Sequence, residues 1–413
     1  MLRRTLPTLL AVSLALLGCD GDSPVEDDDA GGGGGMDAET PPDLEAVRRE
    51  ITANLAEAVI LPTLREFATA ATALEAATAA LETDPSDANR EAAQAAWRVA
   101  TASWQQAEMM RIGPAGMGGT ECPVVGGMDL RDEIYSWDLT SECRIDQETV
   151  EQSYVDLDVL GAELVNVRGL DAIEYLLFAA DGSNDCSELS PINAEGTWAA
   201  LGDAEVGTRR AAYAHAAATL VARQATSLRD LWEPTGGGFA TDLATAGQDG
   251  SAYTRSQTAF NDMGGAMLYL DVATRDMKLG EPAGISGCME ATCFDSLEHP
   301  HARVSLASIR ANLLGFQRLF LGEQPGTVGQ GWDDLLVEVG AEDLASDLAD
   351  AIAAAITALE ALGTDDLAEA VTADAAAVMT AYEAVGEAQR LFKTDVFTVL
   401  DIEPTTCRIG DND

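Results

Sequence analysis

The sequence predicts an all-α fold, on three observations. Aromatic residues make up only 5% of the chain and alanine is abundant, so residues suited to a half-buried sheet are scarce. Apolar residues recur at helical spacing. Phe260, Met263, Met267 and Leu270 form one stripe, Ile309, Leu313, Phe316 and Phe320 a second, and Leu344, Leu348, Ile352, Ile356 and Leu359 a third. Gly and Pro gather between such stretches, where helices must stop.

Residues 1–19 read as a lipoprotein signal peptide. Arg3 and Arg4 supply the positive start, and the apolar stretch over 6–17 is too short to span a bilayer. Leu16-Leu17-Gly18-Cys19 matches a bacterial lipobox, which makes Cys19 the lipidation site and the membrane a partner through that lipid. Residues 20–43 are rich in Asp and Gly and form an acidic tether that buries too little apolar surface to fold. The expected location is the periplasmic side of a bacterial cell envelope.

A first long helix is expected over 44–81, kinked or divided at Pro62. Asp84-Pro85-Ser86-Asp87 is a capped turn, and a second helix runs from it to near Gly113-Pro114, with Trp97 and Trp104 facing the core. Residues 115–146 hold Gly, Pro, two Cys and Trp137 and read as a long irregular connection. Helices resume over 147–165, 168–180, 207–232 and 253–279, interrupted at Pro234 and Gly236 to Gly238. A further set covers 304–322, 332–362 and 364–396. The stretch 280–300, with two Cys and two Pro, divides an N-terminal half (44–280) from a C-terminal half (281–413).

Six cysteines remain beside Cys19, an even number that suits three disulfides in an oxidising compartment. The expected pairs are Cys122 with Cys143, Cys288 with Cys293, and Cys186 with Cys407, out of fifteen possible pairings. The formal net charge is −46. That balance excludes nucleic acid as a partner, because phosphate binding needs clustered Lys and Arg.

The segment Arg168-Gly169-Leu170-Asp171-Ala172-Ile173-Glu174-Tyr175-Leu176-Leu177-Phe178 carries the most functional information. It is a helix apolar almost all round, with Glu174 where a core side chain belongs. A buried carboxylate must be neutral, paired or bound to a cation. Asp171 shares the face of Glu174, one turn earlier, and Arg168 lies one turn before that. Three readings stay open for Glu174: an ion pair with Arg168 or another arginine, a metal or ligand site, and a catalytic carboxylate.

This segment resembles the signature helix of the imelysin-like family, whose pattern is Gly-x-His-x-x-Glu. Other landmarks agree in order: Ala96-Trp97 through Trp104 to Arg111-Ile112-Gly113-Pro114, Ile134-Tyr135-Ser136-Trp137, Cys143-Arg144-Ile145-Asp146, Ile309-Arg310-Ala311-Asn312-Leu313 and Gly410-Asp411-Asn412-Asp413. The resemblance covers essentially the whole chain after the tether. It implies one all-helical domain of two bundle-like halves outside the cytoplasmic membrane. It also implies a link to iron acquisition, with some members described as metallopeptidases. Gly169 and Glu174 match the motif, but Asp171 stands in place of its His.

Two carboxylates offer only oxygen, which suits iron(III), calcium or magnesium better than zinc. Asp171 and Glu174 are therefore the expected metal residues, for iron or calcium. Arg168, Ser136 and Trp137 are the expected ligand-binding residues beside them. His215 reads as an ordinary helix residue, and His299-Pro300-His301 as a loop before a helix and a further candidate for metal contact. No His-Glu-x-x-His helix, Gly-x-Ser-x-Gly elbow or phosphate loop is present. The expected function is a non-catalytic, lipid-anchored envelope protein that binds iron or an iron-bearing ligand. A metallopeptidase and a structural or partner-binding envelope protein are the alternatives.

Overall fold

A computed structural model describes residues 43–119, 124–179 and 182–403. The signal peptide with Cys19, the tether, Cys122, Cys407 and the last residues lie outside the described residues. Among the described residues every regular element is helical. In chain order these are α1 (Leu44–Asn54), α2 (Leu61–Thr83), α3 (Asp87–Ala107), α4 (Leu130–Ile134), α5 (Glu142–Glu151), α6 (Leu157–Ala162), α7 (Gly169–Phe178), α8 (Pro191–Ala194) and α9 (Thr197–Leu201). There follow α10 (Asp203–Trp232), α11 (Phe239–Ala244), α12 (Ser256–Met267), α13 (Ser305–Leu321), α14 (Trp332–Glu338), α15 (Glu342–Glu360), α16 (Leu367–Arg390) and α17 (Phe397–Leu400). No described helix is long and apolar enough to cross a membrane.

Pro62 divides the first helix as its missing N–H requires. A π-helical stretch over Leu55–Ile60 ends there, and α2 begins with Pro62 in its first turn. Four expected helices are interrupted, three of them where a residue leaves the helical region and one by a change of helix type. Gln152 turns left-handed (φ 60°) after α5, and the Asp156 carboxyl caps α6 by accepting from Asp158 N and Val159 N. After α12 the chain tightens into a 3₁₀ turn over Leu268–Leu270 and then widens into a π-helix over Asp271–Gly280. Gly340 (φ 79°) separates α14 from α15. Within α16 Asp374 is extended, and its carboxyl accepts from Ala376 N and Ala377 N as an internal cap.

The helical stripes pack as their spacing predicts. Phe260, Met263, Met267 and Leu270 are buried, and so are Ile309, Leu313, Phe316 and Phe320. In the third stripe Leu348, Ile352 and Leu359 are buried, while Leu344 and Ile356 lie at the core's margin. Trp97 and Trp104 are buried in the core. Helix α2 packs against α10 and α3, and α7 against α10 and α3. The other face of α3 meets α13, which in turn packs on α15, with α16 beyond. Helix α3 is thus the shared wall between the two helix sets.

The disulfides differ from the expected pairing. Cys143 of α5 is bonded to Cys186, with Cα atoms 4.5 Å apart, which rules out Cys122–Cys143 and Cys186–Cys407. The neighbouring Asp146 explains this. Its carboxyl accepts from Asp185 N, Tyr175 Oη and Arg210 Nη2, which holds the segment after α7 against α5. Closing that 43-residue separation restricts the unfolded chain by about 4 kcal/mol on a chain-entropy model. Cys288 and Cys293 pair as expected.

Gly315 permits the α3–α13 contact. A Cβ there would lie 2.3 Å from the Gln106 carbonyl oxygen, which is backbone and cannot swing away. Gly315→Ala is expected to lower unfolding stability by about 2 kcal/mol, the usual cost of overpacking, despite alanine's better helix propensity. Urea denaturation followed by circular dichroism measures this, and an unchanged midpoint would show that the two helices need not approach so closely.

Candidate functional site

Helix α7 is buried from Gly169 to Leu177, so its two carboxyl groups are held inside the protein. Gly169 takes φ 87°, and a Cβ there would sit 2.9 Å from the Ile134 carbonyl oxygen. Only glycine allows the helix to start so close to the end of α4. That approach brings Asp171 Oδ2 to 3.0 Å from Ser136 N, which donates to it.

Glu174 is held by three donors from one segment. Its Oε2 lies 2.6 Å from His299 Nδ1, and its Oε1 accepts from His301 N at 3.1 Å and Ala302 N at 2.9 Å. The ion pair with Arg168, one of the three open readings, does not form. Arg168 instead bridges Glu133 (2.7 Å) and the Gly161 carbonyl (2.7 Å), away from Glu174. The Ser136 hydroxyl donates to Val165 O at 3.0 Å, so Ser136 reaches the site only through its backbone.

A second layer of charge lies behind His299. Glu298 Oε1 meets Lys278 Nζ at 2.6 Å and accepts from Gln105 Nε2 at 2.9 Å and from the Tyr135 hydroxyl. Lys278, fully buried, also reaches Gln105 Oε1 (2.7 Å), Glu108 Oε2 (3.1 Å) and Asn312 Oδ1 (3.2 Å). Arg131 completes the chain at 3.5 Å from Glu108 Oε1. Sequence reading missed this network, although Glu108 between Ala107 and two methionines and Lys278 beside Leu279 were visible as charges in apolar surroundings.

The electrostatics follow from these neighbours. Burial pushes the Asp171 carboxyl up, as do Glu174 and Glu298, while His299 and the Ser136 N–H oppose the rise; the group titrates at about 7. Burial alone would lower His299, but Glu174 and Glu298 more than offset it and raise its pKa. Burial also works against the Lys278 ammonium, yet Glu108 and Glu298 raise its pKa well above the ordinary value.

A cleft of about 330 Å³ opens over this arrangement. Its lining includes Asp171, Glu174 and Glu298, with Asp138, Glu142, Glu281 and Asp295 at the sides. Trp137, Tyr175 and Met277 supply apolar walls, and His301, 2.7 Å from Glu142 through Nε2, is the one basic side chain in the lining. Trp137 therefore belongs to the cleft as expected, whereas Arg168 and Ser136 do not line it.

Sequence comparison decides the family. The imelysin (peptidase M75) sequence pattern matches residues 60–392. The chain belongs to the imelysin family. It is 26% identical over 280 residues to iron-regulated protein A of Synechococcus elongatus, covering 66% of this chain and 64% of that protein's length. An imelysin-like protein from Psychrobacter arcticum 273-4 shares the fold with a TM-score of 0.65 at 17% identity, over 87% of this chain and 97% of the other. A structure described as an iron-regulated protein A precursor from Parabacteroides distasonis gives 0.62 at 17%, over 86% and 97%. In this imelysin Asp171 stands at the motif's His position, and the imidazole facing Glu174 comes instead from His299, far away in sequence.

The donors present do not fit a metal centre. Both oxygens of Glu174 and one of Asp171 are engaged by N–H groups. Among the described residues no group of three or more His, Cys, Asp or Glu side chains is arranged to hold a metal ion.

The raised Asp171 carboxyl carries a prediction. Its proton is held more tightly in the folded than in the unfolded chain, so its contribution to stability falls as pH rises from about 4 to about 7. Asp171→Asn removes that dependence and keeps an acceptor for Ser136 N. The variant's stability relative to the parent should be about 3 kcal/mol more favourable at pH 8 than at pH 4.5. Urea unfolding at both pH values tests this; equal differences would mean that Asp171 titrates normally.

Proposed function

We propose that this imelysin is a non-catalytic binding protein of the bacterial cell envelope, anchored by lipid at Cys19 and serving iron acquisition. The observation that carries the non-catalytic reading is the state of Glu174, whose two oxygens accept three hydrogen bonds. Three of the about four acceptor sites of that carboxylate are taken inside the protein, which leaves Glu174 little capacity to ligate a metal or hold a catalytic water. The acidic cleft above it offers a place to hold a ligand. The lipobox at Leu16 to Cys19 supports export and anchoring, and the relative named iron-regulated protein A supports the link to iron.

Two measurements test the reading. In the native host, Cys19→Ser should move the protein from the membrane to the soluble fraction, as an immunoblot of the fractions would show. A strain lacking the gene should grow more slowly under iron restriction, and Glu174→Ala should restore growth less than the parent does. Normal growth without the gene would remove the iron role. Chelator-sensitive proteolysis by the purified protein, lost in Glu174→Ala, would overturn the non-catalytic reading in favour of a metallopeptidase.

A further inference from the structure

Four of the seven cysteines are bonded to one another, Cys143 with Cys186 and Cys288 with Cys293. Lipidation would take Cys19, which leaves Cys122 and Cys407. Both lie outside the described residues, but the segments that flank them are described and converge on one helix.

They meet neighbouring residues of α12. Val125 N, three residues after Cys122, donates to Asp262 Oδ2 at 3.2 Å. Glu403 N, four residues before Cys407, donates to Asn261 Oδ1 at 3.2 Å. One turn earlier on α12, Gln257 Nε2 donates to the Asp401 carbonyl at 2.9 Å, and Ile402 is buried. Adjacent Cα atoms lie about 3.8 Å apart, and each nitrogen is one short side chain and one hydrogen bond from its own. Val125 N and Glu403 N are therefore within about 17 Å of each other. Three extended residues on one side and four on the other reach about 24 Å together, and a disulfide spans about 5.5 Å more between Cα atoms. The bond is within reach. Two thiols carried to one helix also meet each other more often than the thiol of a second chain.

We infer that Cys122 and Cys407 form a third disulfide, which clasps the C-terminal end of the chain to the connection between α3 and α4. This rests on the reading of the protein as exported and lipid-modified at Cys19. In its formation the two thiols give two protons and two electrons to the disulfide of an oxidising partner, which leaves as two thiols. The sequence separation is 285 residues (407 − 122), against 43 and 5 for the other two bonds, so this one restricts the unfolded chain most. It also holds the connection that leads into α4, against whose end Gly169 starts the signature helix.

Peptide mapping tests the assignment on the full chain, taken from its native membrane in detergent and alkylated before any reduction. Cleavage after Lys and Arg puts Cys122 in 112–131 and Cys407 in 394–408, each apart from the other cysteines. Mass spectrometry should find these two peptides joined by a bond that a reductant cleaves. Cys122→Ser and Cys407→Ser should each leave the remaining cysteine alkylated. Both single variants and the double variant should lower Tm by the same amount, about 5 °C, because each removes one shared bond. Alkylation of Cys122 and Cys407 in the parent, with the other two bonds intact, would overturn the proposal alone. A link from either cysteine to Cys19 or to a second chain would overturn it as well. Alkylation of all six would remove the exported reading and the proposal with it, so the two known bonds separate the two failures.

Discussion

The three hydrogen bonds on Glu174 are the contact on which the site depends. They join a helix buried in one set of elements to the 298–302 segment, more than a hundred residues later. An acidic side chain in an apolar helix would destabilise the fold if left alone. Two backbone N–H groups and an imidazole satisfy it, and in doing so fix that segment over α7. The cleft's shape follows, since Glu298, Pro300 and His301 enter its lining from the same short stretch.

Behind that contact the same principle recurs with full charges. Lys278 is held among Glu298, Glu108, Gln105 and Asn312, which come from the 281–304 connection, the end of α3 and α13. Buried ion pairs of this kind add little net stability compared with apolar packing, but removal of one partner strands the other. Their effect is to fix which surfaces meet. Helix α3, with Gln105 and Glu108 at its end, contributes to this network while its Trp97 indole donates to the Leu170 carbonyl at 2.8 Å. One helix thereby registers both the signature helix and the charged layer.

Asp171 differs from its neighbours because its surroundings do not satisfy it fully. One oxygen is bonded and the other is not, and burial holds its proton to about pH 7. A carboxyl kept in that condition costs folding stability, which is a common mark of functional positions. Asp171 at the motif's His position thus puts there a carboxyl whose pKa is raised by burial, while an imidazole still faces Glu174 from elsewhere.

The sequence alone determined the helical class, the apolar stripes that build the core and the placing of Asp171 and Glu174 in a buried helix that starts at Gly169. Periodicity and a charge in an apolar run are local properties, and they are legible one helix at a time. The breaks at Gln152 and Asp374 were not: Gln152 turns left-handed with no side-chain cap, and Asp374 leaves the helix to accept from Ala376 N and Ala377 N. The partner of Glu174 was also beyond local reading. Arg168 was close in sequence, yet the start of α7 turns it toward Glu133, and the contact fell to His299. The Cys143–Cys186 bond and the Lys278 network were decided in the same way, by which distant segments packing brings within a few ångströms. Proximity of that kind is a property of the folded chain, and no spacing of residues encodes it directly.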